Sequence, residues 1–567
     1  MSALASHAVP RPPTLYAEDP WPKPEKWIVM LDAYDLAQGA DVCWNSVVAE
    51  TRYAPHEPAV LLRGDLLVRV SHDDGRTTFV SFDRYSLRDY LSRICTFRLV
   101  TVTQTKRTKC PVDVVQTLLA RIPEELLGSL KCDRITDVPI FAANGELAAT
   151  PGYNAGARAY FAPAPELGEL VVKTDDWATL EEKAKHDEAV VAGMSTEATY
   201  AIEQQRRDVR EARELLLSVV EEFPFRDEAS RAHAVCLMLE PFVRELVGDE
   251  PTPLFAVTAH QPRTGKTLLA QTCTYIGCGT IPATSYMNDD DELRKTVTAM
   301  ILEGAPVVWF DNVKGRMDSG ALAGALTSAR WTGRILGHTK TIGNMPVRNV
   351  WLMTGNNPTM HPELARRVVP IRLDTPKPLG HEYDRPHLQE WAKKSRARLV
   401  HACIVLVANY LTHRAELDFE TGEYVAVTPE TQDTLDSFPA WSRVMGGILA
   451  GANIDGFLEN RDEWMQEAVA DTAESQDFFV EWKTRLETTP VSVDELLHVV
   501  QGRKTDGTLL VNATPFPLPE ELDEKLTKGT LGAYLRGANG SEVVPGFKLV
   551  RIEKPRPARW KLEPLDA

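Results

Sequence analysis

Four apolar runs punctuate the middle of the chain, and each stops at polar residues: Leu254-Phe255-Ala256-Val257, Val307-Val308-Trp309-Phe310, Val350-Trp351-Leu352-Met353 and Val368 to Leu373. The runs are continuous rather than alternating, the pattern of strands buried on both faces of a parallel sheet. Between them the spacing turns helical, in Leu268-Leu269-Ala270 and in DDDELRKTVTAMILEG (289–304). TIPATSY (280–286) reads as a further strand. Residues 248–375 are therefore expected to form an α/β domain, a five-stranded, parallel-type sheet with helices on both faces.

Around this block the pattern changes. LLRGDLLVRVS (61–71) and TTFVSFD (77–83) alternate as paired strands across the turn HDDGR, and SLRDYLSRICTF (86–97) has helical spacing behind an N-cap Ser86. DVPIFAANGELAATPGYN (137–154) reads as a hairpin turning at Asn144-Gly145. Residues 27–174 are thus expected to be an α+β domain. Residues 175–247 read as a charged helical collar, with a first helix in WATLEEKAKHDEAV and a break at Phe223-Pro224-Phe225. Residues 376–476 read as a helical lid or bundle. From 477 to 567, three helices precede two strands, GFKLVRIE (546–553) and ARWKLEPL (558–565), which suggests a winged-helix-like domain.

Composition narrows the class. At 567 residues the chain is too long for one core. Its eight cysteines form no CxxC pair, so reduced thiols, a cytoplasmic setting in a bacterial host cell and no zinc site are expected. Residues 1–26 are proline-rich, lack an apolar signal core and read as a flexible lead-in. The longest apolar stretch, Leu399 to Leu411, is broken by His401 and Asn409 and is too short to span a bilayer, so no membrane partner is expected. A net charge of −17 argues against a protein that coats nucleic acid over its whole surface. The charge is uneven, however: Lys525 to Lys561 carries nine Lys/Arg against two Glu. Asp32 and Asp35 read as a solvated pair on one helix face. With no carboxylate cluster beside them, primase chemistry in the first 170 residues is disfavoured.

The first apolar run leads into His260-Gln261-Pro262-Arg263-Thr264-Gly265-Lys266-Thr267 and then Leu268. Strand, turn-rich loop and helix are the context of a phosphate-binding loop. Its amides and helix N-terminus face phosphate oxygens, its Lys reaches the β/γ-phosphates and its Thr hydroxyl binds Mg²⁺. The second run ends at Asp311, placed to reach Mg²⁺, and the third ends at Thr354-Gly355-Asn356-Asn357, where Asn356 can bond a γ-phosphate or water. Lys266 and Asp311 are 45 residues apart, and so are Asp311 and Asn356. Arg366 and Arg367 follow, candidates for arginine fingers that stabilise transition-state charge. Between the second and third motifs, residues 334–344 read as a projecting hairpin whose His338 and Lys340 could grip a phosphate backbone. In the C-terminal basic stretch, Arg536, Lys548, Arg551 and Arg559 are candidate DNA contacts.

These motifs resemble the AAA+ ATPase domain of superfamily 3 helicases, in the primase-helicase-like group of phages, plasmids and mobile elements. The resemblance covers Phe223 to Leu373 and rests on FPF (223–225), PRTGKT (262–267), DELRK (291–295), FDNV (310–313), RILG (334–337), TGNN (354–357) and LARRVVPIRLD (364–374). It implies a hexameric, ATP-driven ring acting on single-stranded or forked DNA, with ATP and Mg²⁺ bound by the loop; a separate primase or polymerase is a candidate partner. It also implies finger roles for Arg366 or Arg367 and a DNA-contacting role for the hairpin. Two positions depart from the pattern. His260 replaces the first loop glycine, either widening the turn or lying over the nucleotide. Asn312 stands where many such proteins carry a water-polarising glutamate. Either turnover is slow, or Glu292, Glu303 or Asp311 serves. A second function therefore stands beside the motor: an ATP-binding assembly switch or origin-binding, helicase-loading scaffold that hydrolyses weakly and does not unwind. A small-molecule phosphotransferase is disfavoured, because it would leave the paired arginines and the hairpin without a role.

Overall fold

A computed structural model describes residues 25–168 and 199–564, except 33–34, 52, 74–75, 102, 124–127, 260, 262, 335–340, 357, 375–383, 413–415, 418–423, 426–433, 509–515, 520–521, 523–525, 539–541, 545–546 and 553–556. The chain divides into two compact units. The first comprises 1–314, 319–356 and 367–460, and the second 315–318, 357–366 and 461–567.

In the first unit, the N-terminal part contains β1 (Trp27–Asp32), α1 (Leu36–Thr51), β2 (Leu61–Arg63), β3 (Leu66–Asp73), β4 (Arg76–Ser81), α2 (Arg84–Ile94), β5 (Cys95–Val100), β6 (Thr105–Thr108) and α3 (Val112–Ala120). One sheet runs β1-β5-β6 and another β2-β3-β4. Trp44, Leu61, Leu91 and Val115 fill the core between them. The expected strand 61–71 is split in two, because Gly64 adopts a left-handed φ of 56° and turns the chain. Helix α2 begins before Ser86. The Asp83 carboxylate accepts from the N–H groups of Tyr85 (3.0 Å) and Ser86 (2.7 Å), taking the cap expected of the serine. Asp32 and Asp35 do not share a helix face: Asp32 ends β1, and the two residues form an isolated bridge. The hairpin at Asn144-Gly145 pairs Ile140–Phe141 with Leu147–Ala148, as its turn residues require.

The collar contains α4 (Thr199–Val220) and α5 (Glu228–Val243), and its expected first helix lies outside the described residues. Then come β7 (Leu254–Ala259), α6 (Lys266–Cys278), α7 (Asp290–Glu303), β8 (Val307–Val313), α8 (Gly320–Leu326), β9 (Arg330–Arg334), β10 (Thr341–Pro346), β11 (Val350–Asn356) and β12 (Val368–Leu373). The order β8-β11-β7-β12 is parallel throughout. All six residues of β7 and all six of β12 are buried, as continuous apolar runs demand. Each large side chain so buried contributes roughly 1.5–3 kcal/mol. The further strand expected at 280–286 contributes only a bridge from Thr284 to Phe310. Thr284 N–H donates to Trp309 O and its carbonyl accepts from Asp311 N–H. Pro282 supplies no N–H, so the ladder cannot extend through it. Helices α9 (Leu388–Lys394), α10 (Arg396–Thr412) and α11 (Pro439–Gly451) complete the unit. The Gln205 amide joins α4 to α10 by donating to Asn409 (2.9 Å).

The second unit is built on α12 (Arg461–Leu486), one helix that runs through the expected boundary at 476/477. It is followed by β13 (Val491–Ser492), α13 (Val493–Val500), α14 (Lys528–Gly537), β14 (Glu542–Val544), β15 (Phe547–Ile552) and β16 (Arg559–Pro564). The strands form a four-stranded antiparallel sheet, β13-β16-β15-β14, where two strands were expected. Phe478, Trp482, Phe516, Leu531 and Trp560 fill its core. Among the described residues, no helix is long and apolar enough to cross a membrane.

Candidate nucleotide site and nucleic-acid interfaces

Because β7, β8 and β11 are parallel, the three motifs that follow their apolar runs emerge at one edge of the sheet. Ala259 lies in register with Asn356, and Phe310 with Met353. The loop after β7 bends through left-handed residues, Arg263 at φ 67° and Gly265 at φ 92°, before α6 begins. A Cβ on Gly265 would lie 3.0 Å from the ring of Phe223, so the Phe223-Pro224-Phe225 segment walls the loop and requires glycine there. That segment is itself held to the end of β12: Phe225 bridges Leu373, and Asp374 N–H donates to Pro224 O.

Lys266 Nζ donates to Gln261 O and to Thr264 Oγ1, both at 3.2 Å, while Thr264 itself is buried. Burial lowers the Lys266 pKa, and the charge of Asp311 opposes that shift. Thr267 Oγ1 donates to Asp311 Oδ1 at 3.2 Å, so the hydroxyl and the carboxylate expected to hold a cation do meet. Leu268, 38% exposed, lies in the first turn of α6, whose leading amides have no intrahelical acceptor. His260 and Pro262 lie outside the described residues.

Strand β8 bulges at its end. Its pairing with β11 shifts between Phe310 and Val313, and Asn312 takes φ 55°. The displaced Asn312 N–H finds Thr354 Oγ1 at 2.9 Å, and the same hydroxyl donates to Asp311 Oδ1. Thr354 therefore fixes both the bulge and the carboxylate. The sequence showed it only as the first residue of the TGNN motif, in which the role was given to Asn356. Asn356 closes β11, and its Oδ1 is buried with no hydrogen-bond partner among the described residues. Glu292, a reserve carboxylate, is paired with Lys295 at 2.6 Å, and Glu303 lies at the far end of the same helix, α7.

The two arginines part company. Arg366 belongs to the second unit, is nearly half exposed and pairs with Glu363 at 2.7 Å. Arg367 belongs to the first unit and is buried, and its carbonyl accepts from Leu254 N–H at 3.0 Å. The expected hairpin is present as β9 and β10, paired from Arg330–Pro346 to Arg334–Thr341. Its tip, with His338 and Lys340, lies outside the described residues.

In the second unit the four basic candidates do not share one face. Lys548 and Arg551 are three apart on β15 and so point to opposite sides of the strand. Lys548 pairs with Glu563 (3.6 Å), and the Arg551 guanidinium lies 5.7 Å from the Trp560 ring. Arg559 donates to Pro490 O (3.0 Å) and Glu495 Oε1 (3.1 Å), an assignment that ties β16 to the start of α13. Arg536, in the last turn of α14, is exposed.

No family model matches the chain, and no curated protein matches it. Among solved structures, the chain is similar to the A-form apo structure of the NrS-1 C-terminal region, at 9% identity and a TM-score of 0.34, over 91% of this chain and 98% of that one. It is also similar to the SCCmec type IV Cch active helicase, at 12% identity and a TM-score of 0.29, over 74% of this chain and 75% of that one.

Proposed function

We propose that this protein is an ATP-dependent DNA helicase or translocase of the AAA+ superfamily 3 type, working as a hexameric ring in the replication of a phage, plasmid or mobile element. The observation that carries the reading is the meeting of Lys266, Thr267 and Asp311 at one end of a parallel sheet, with the Thr267 hydroxyl 3.2 Å from the carboxylate. The residues fit ATP and Mg²⁺. Gly265 lets the loop bend past the Phe223 ring, Thr267 and Asp311 offer the hard oxygen ligands that Mg²⁺ takes, and Asn356 Oδ1 is a buried acceptor with no partner among the described residues. In this reading the loop amides and Lys266 hold the phosphates and Asn356 orients the attacking water. Bound Mg²⁺ would neutralise charge developing on the phosphate oxygens. Arg366, exposed where Arg367 is buried, is the finger offered to a neighbouring subunit. His338 and Lys340 at the hairpin tip, with Arg536, Lys548 and Arg551, would contact single-stranded or forked DNA, and a primase or polymerase would be a separate partner.

Asn312 favours a second reading. No proton can be accepted by its amide, so the site could bind ATP, assemble and turn over weakly, as an origin-binding or helicase-loading switch does. Hydrolysis measured with and without single-stranded DNA, for wild type and Lys266→Ala, separates the two. DNA-stimulated turnover lost in the variant supports the motor. Rings that form with ATP and hydrolyse nothing would sink it and leave the switch.

A further inference from the structure

Residues 84–109 hold seven Lys/Arg and a single acid, Asp89, in a chain whose net charge is −17. The fold gathers part of this charge around a cleft of about 530 Å³ between α2 and the β5–β6 pair. Arg88 enters it from α2, Arg107 and Lys109 from the end of β6, and Lys26 from the residue before β1. Two of these cations are fixed by backbone bonds: Arg88 Nε donates to Cys110 O at 2.8 Å and Lys26 Nζ to Ser92 O at 2.9 Å. Asp89, the acid on the wall, is paired with Arg93 at 2.7 Å. Tyr85 stands at the mouth, 65% exposed. The Arg84 guanidinium lies 4.6 Å from its ring centre and donates to its hydroxyl at 2.6 Å.

A plainer account exists for part of this. Edge strands carry Lys and Arg to block pairing with other chains, and β6 is an edge. That account covers Lys106 and Arg107. It leaves unexplained why Lys26 and Arg88, from two other elements, converge on the same cleft beside an exposed aromatic ring.

We propose that this cleft binds the sugar–phosphate backbone of single-stranded DNA, with Tyr85 stacking on a base. Cations distributed along a groove follow a phosphate chain, and an exposed ring accepts any base without reading sequence. The proposal rests on the DNA-acting reading above and gives the N-terminal part a role in it. The N-terminal part that carries the cleft is bonded to the nucleotide site's own framework through its other sheet. From the end of β2, Arg63 donates to the carbonyls of Ile301 and Leu302, each at 2.6 Å, at the end of the helix that leads into β8 and Asp311. A strand held in the cleft is held by the unit that carries the loop.

The test is fluorescence anisotropy of a labelled oligothymidylate on the full chain, without nucleotide, across a salt series. Neutralising two phosphate contacts with Arg107→Gln and Lys109→Gln should lower the slope of log affinity against log salt by about 1.4, at about 0.7 per contact for single strands. Tyr85→Ala should weaken binding at least about fivefold, and Tyr85→Phe should retain it. All three positions are exposed or at the cleft mouth, and an unchanged melting profile excludes unfolding. An unchanged slope overturns the proposal. So does an equal loss on duplex DNA of the same length, or a loss confined to a polyglutamate probe, which would mark a site for acidic protein. Because no ATP is present, a chain that hydrolyses nothing yet shows the slope change would sink the motor and keep the cleft.

Discussion

Thr354 offers the sharpest check on the geometry of the nucleotide site, because one hydroxyl serves two masters there. It accepts from the Asn312 N–H at 2.9 Å and donates to Asp311 Oδ1, and the residue is 1% exposed. Thr354→Val keeps the volume and removes both bonds. Stranding the bulge N–H costs about 1–3 kcal/mol. The bond to Asp311 adds less than its charge would suggest, because that carboxylate is half-buried and keeps the Thr267 hydroxyl at 3.2 Å. The variant should therefore melt several degrees lower, at about 2–4 °C per kcal/mol for a large domain. A carboxylate no longer held should also bind Mg²⁺ less tightly, as loss of an orienting partner lowers metal affinity about 10–100-fold. The assay is ATP hydrolysis against Mg²⁺ concentration, with thermal melting alongside. Half-saturation should move up by on the order of tenfold in Thr354→Val, and Thr354→Ser should restore it. A valine variant with wild-type melting and wild-type Mg²⁺ dependence would refute the role given to this residue.

Arg366→Ala should abolish hydrolysis with ATP binding and melting intact, whereas Arg367→Ala, which removes a buried side chain, should lower the melting temperature; equal effects on both assays would remove the distinction drawn from their burial. Glu240 gives a pH signature. It is fully buried, receives a bond from Trp441 Nε1 at 2.6 Å, and burial pushes its pKa from 4.5 up to about 7. Its folded pKa lies above its unfolded one, so its contribution is complete below about pH 4.5 and is lost as pH rises through about 7, on the order of 3 kcal/mol. His233 runs the other way: burial lowers it from 6.5 to about 4, so its contribution is complete above pH 6.5 and is lost as pH falls through 4. Glu240→Gln should thus unmask a stability that rises with pH between about 4.5 and 6.5, and a pH–melting profile superimposable on wild type would contradict it.

What the sequence disclosed and what it hid have one physical cause. Continuous apolar runs can be satisfied only by burial on both faces, so the four sheet strands and the placing of Lys266 and Asp311 at their ends were legible from residue type alone. Features set by a single hydrogen bond were not. Ser86 and Asp83 are both good caps, and only the fold reveals that the aspartate takes the position. Residues 280–286 have the composition of a strand, but Pro282 reduces them to one bridge. Basic character at Arg559 suggested a DNA contact; in the fold its guanidinium also donates to the carbonyl of Pro490 and the carboxylate of Glu495. Charge in a sequence does not say which charges are already spoken for. The long helix α12 crosses 477 because nothing there breaks it; a change in composition is not a helix stop.

The bulge also changes what Asn312 means. From sequence alone, asparagine after the strand-ending aspartate reads as a lost glutamate, and restoring Glu should then speed turnover. In the fold, residue 312 sits at φ 55° on an extra residue of β8, with an exposed side chain. Asparagine adopts that left-handed backbone more readily than glutamate does. Asn312→Glu should therefore cost about 1–2 kcal/mol of stability, and Asn312→Gly should be tolerated. If the backbone demand governs this position, Asn312→Glu melts lower and hydrolyses ATP no faster than wild type, because the strain competes with the Thr354 bond that holds Asp311. If Asn312→Glu instead melts like wild type and turns over faster, the position is free to carry a base. The weak-hydrolysis reading would then rest on a missing side chain rather than on the shape of the strand.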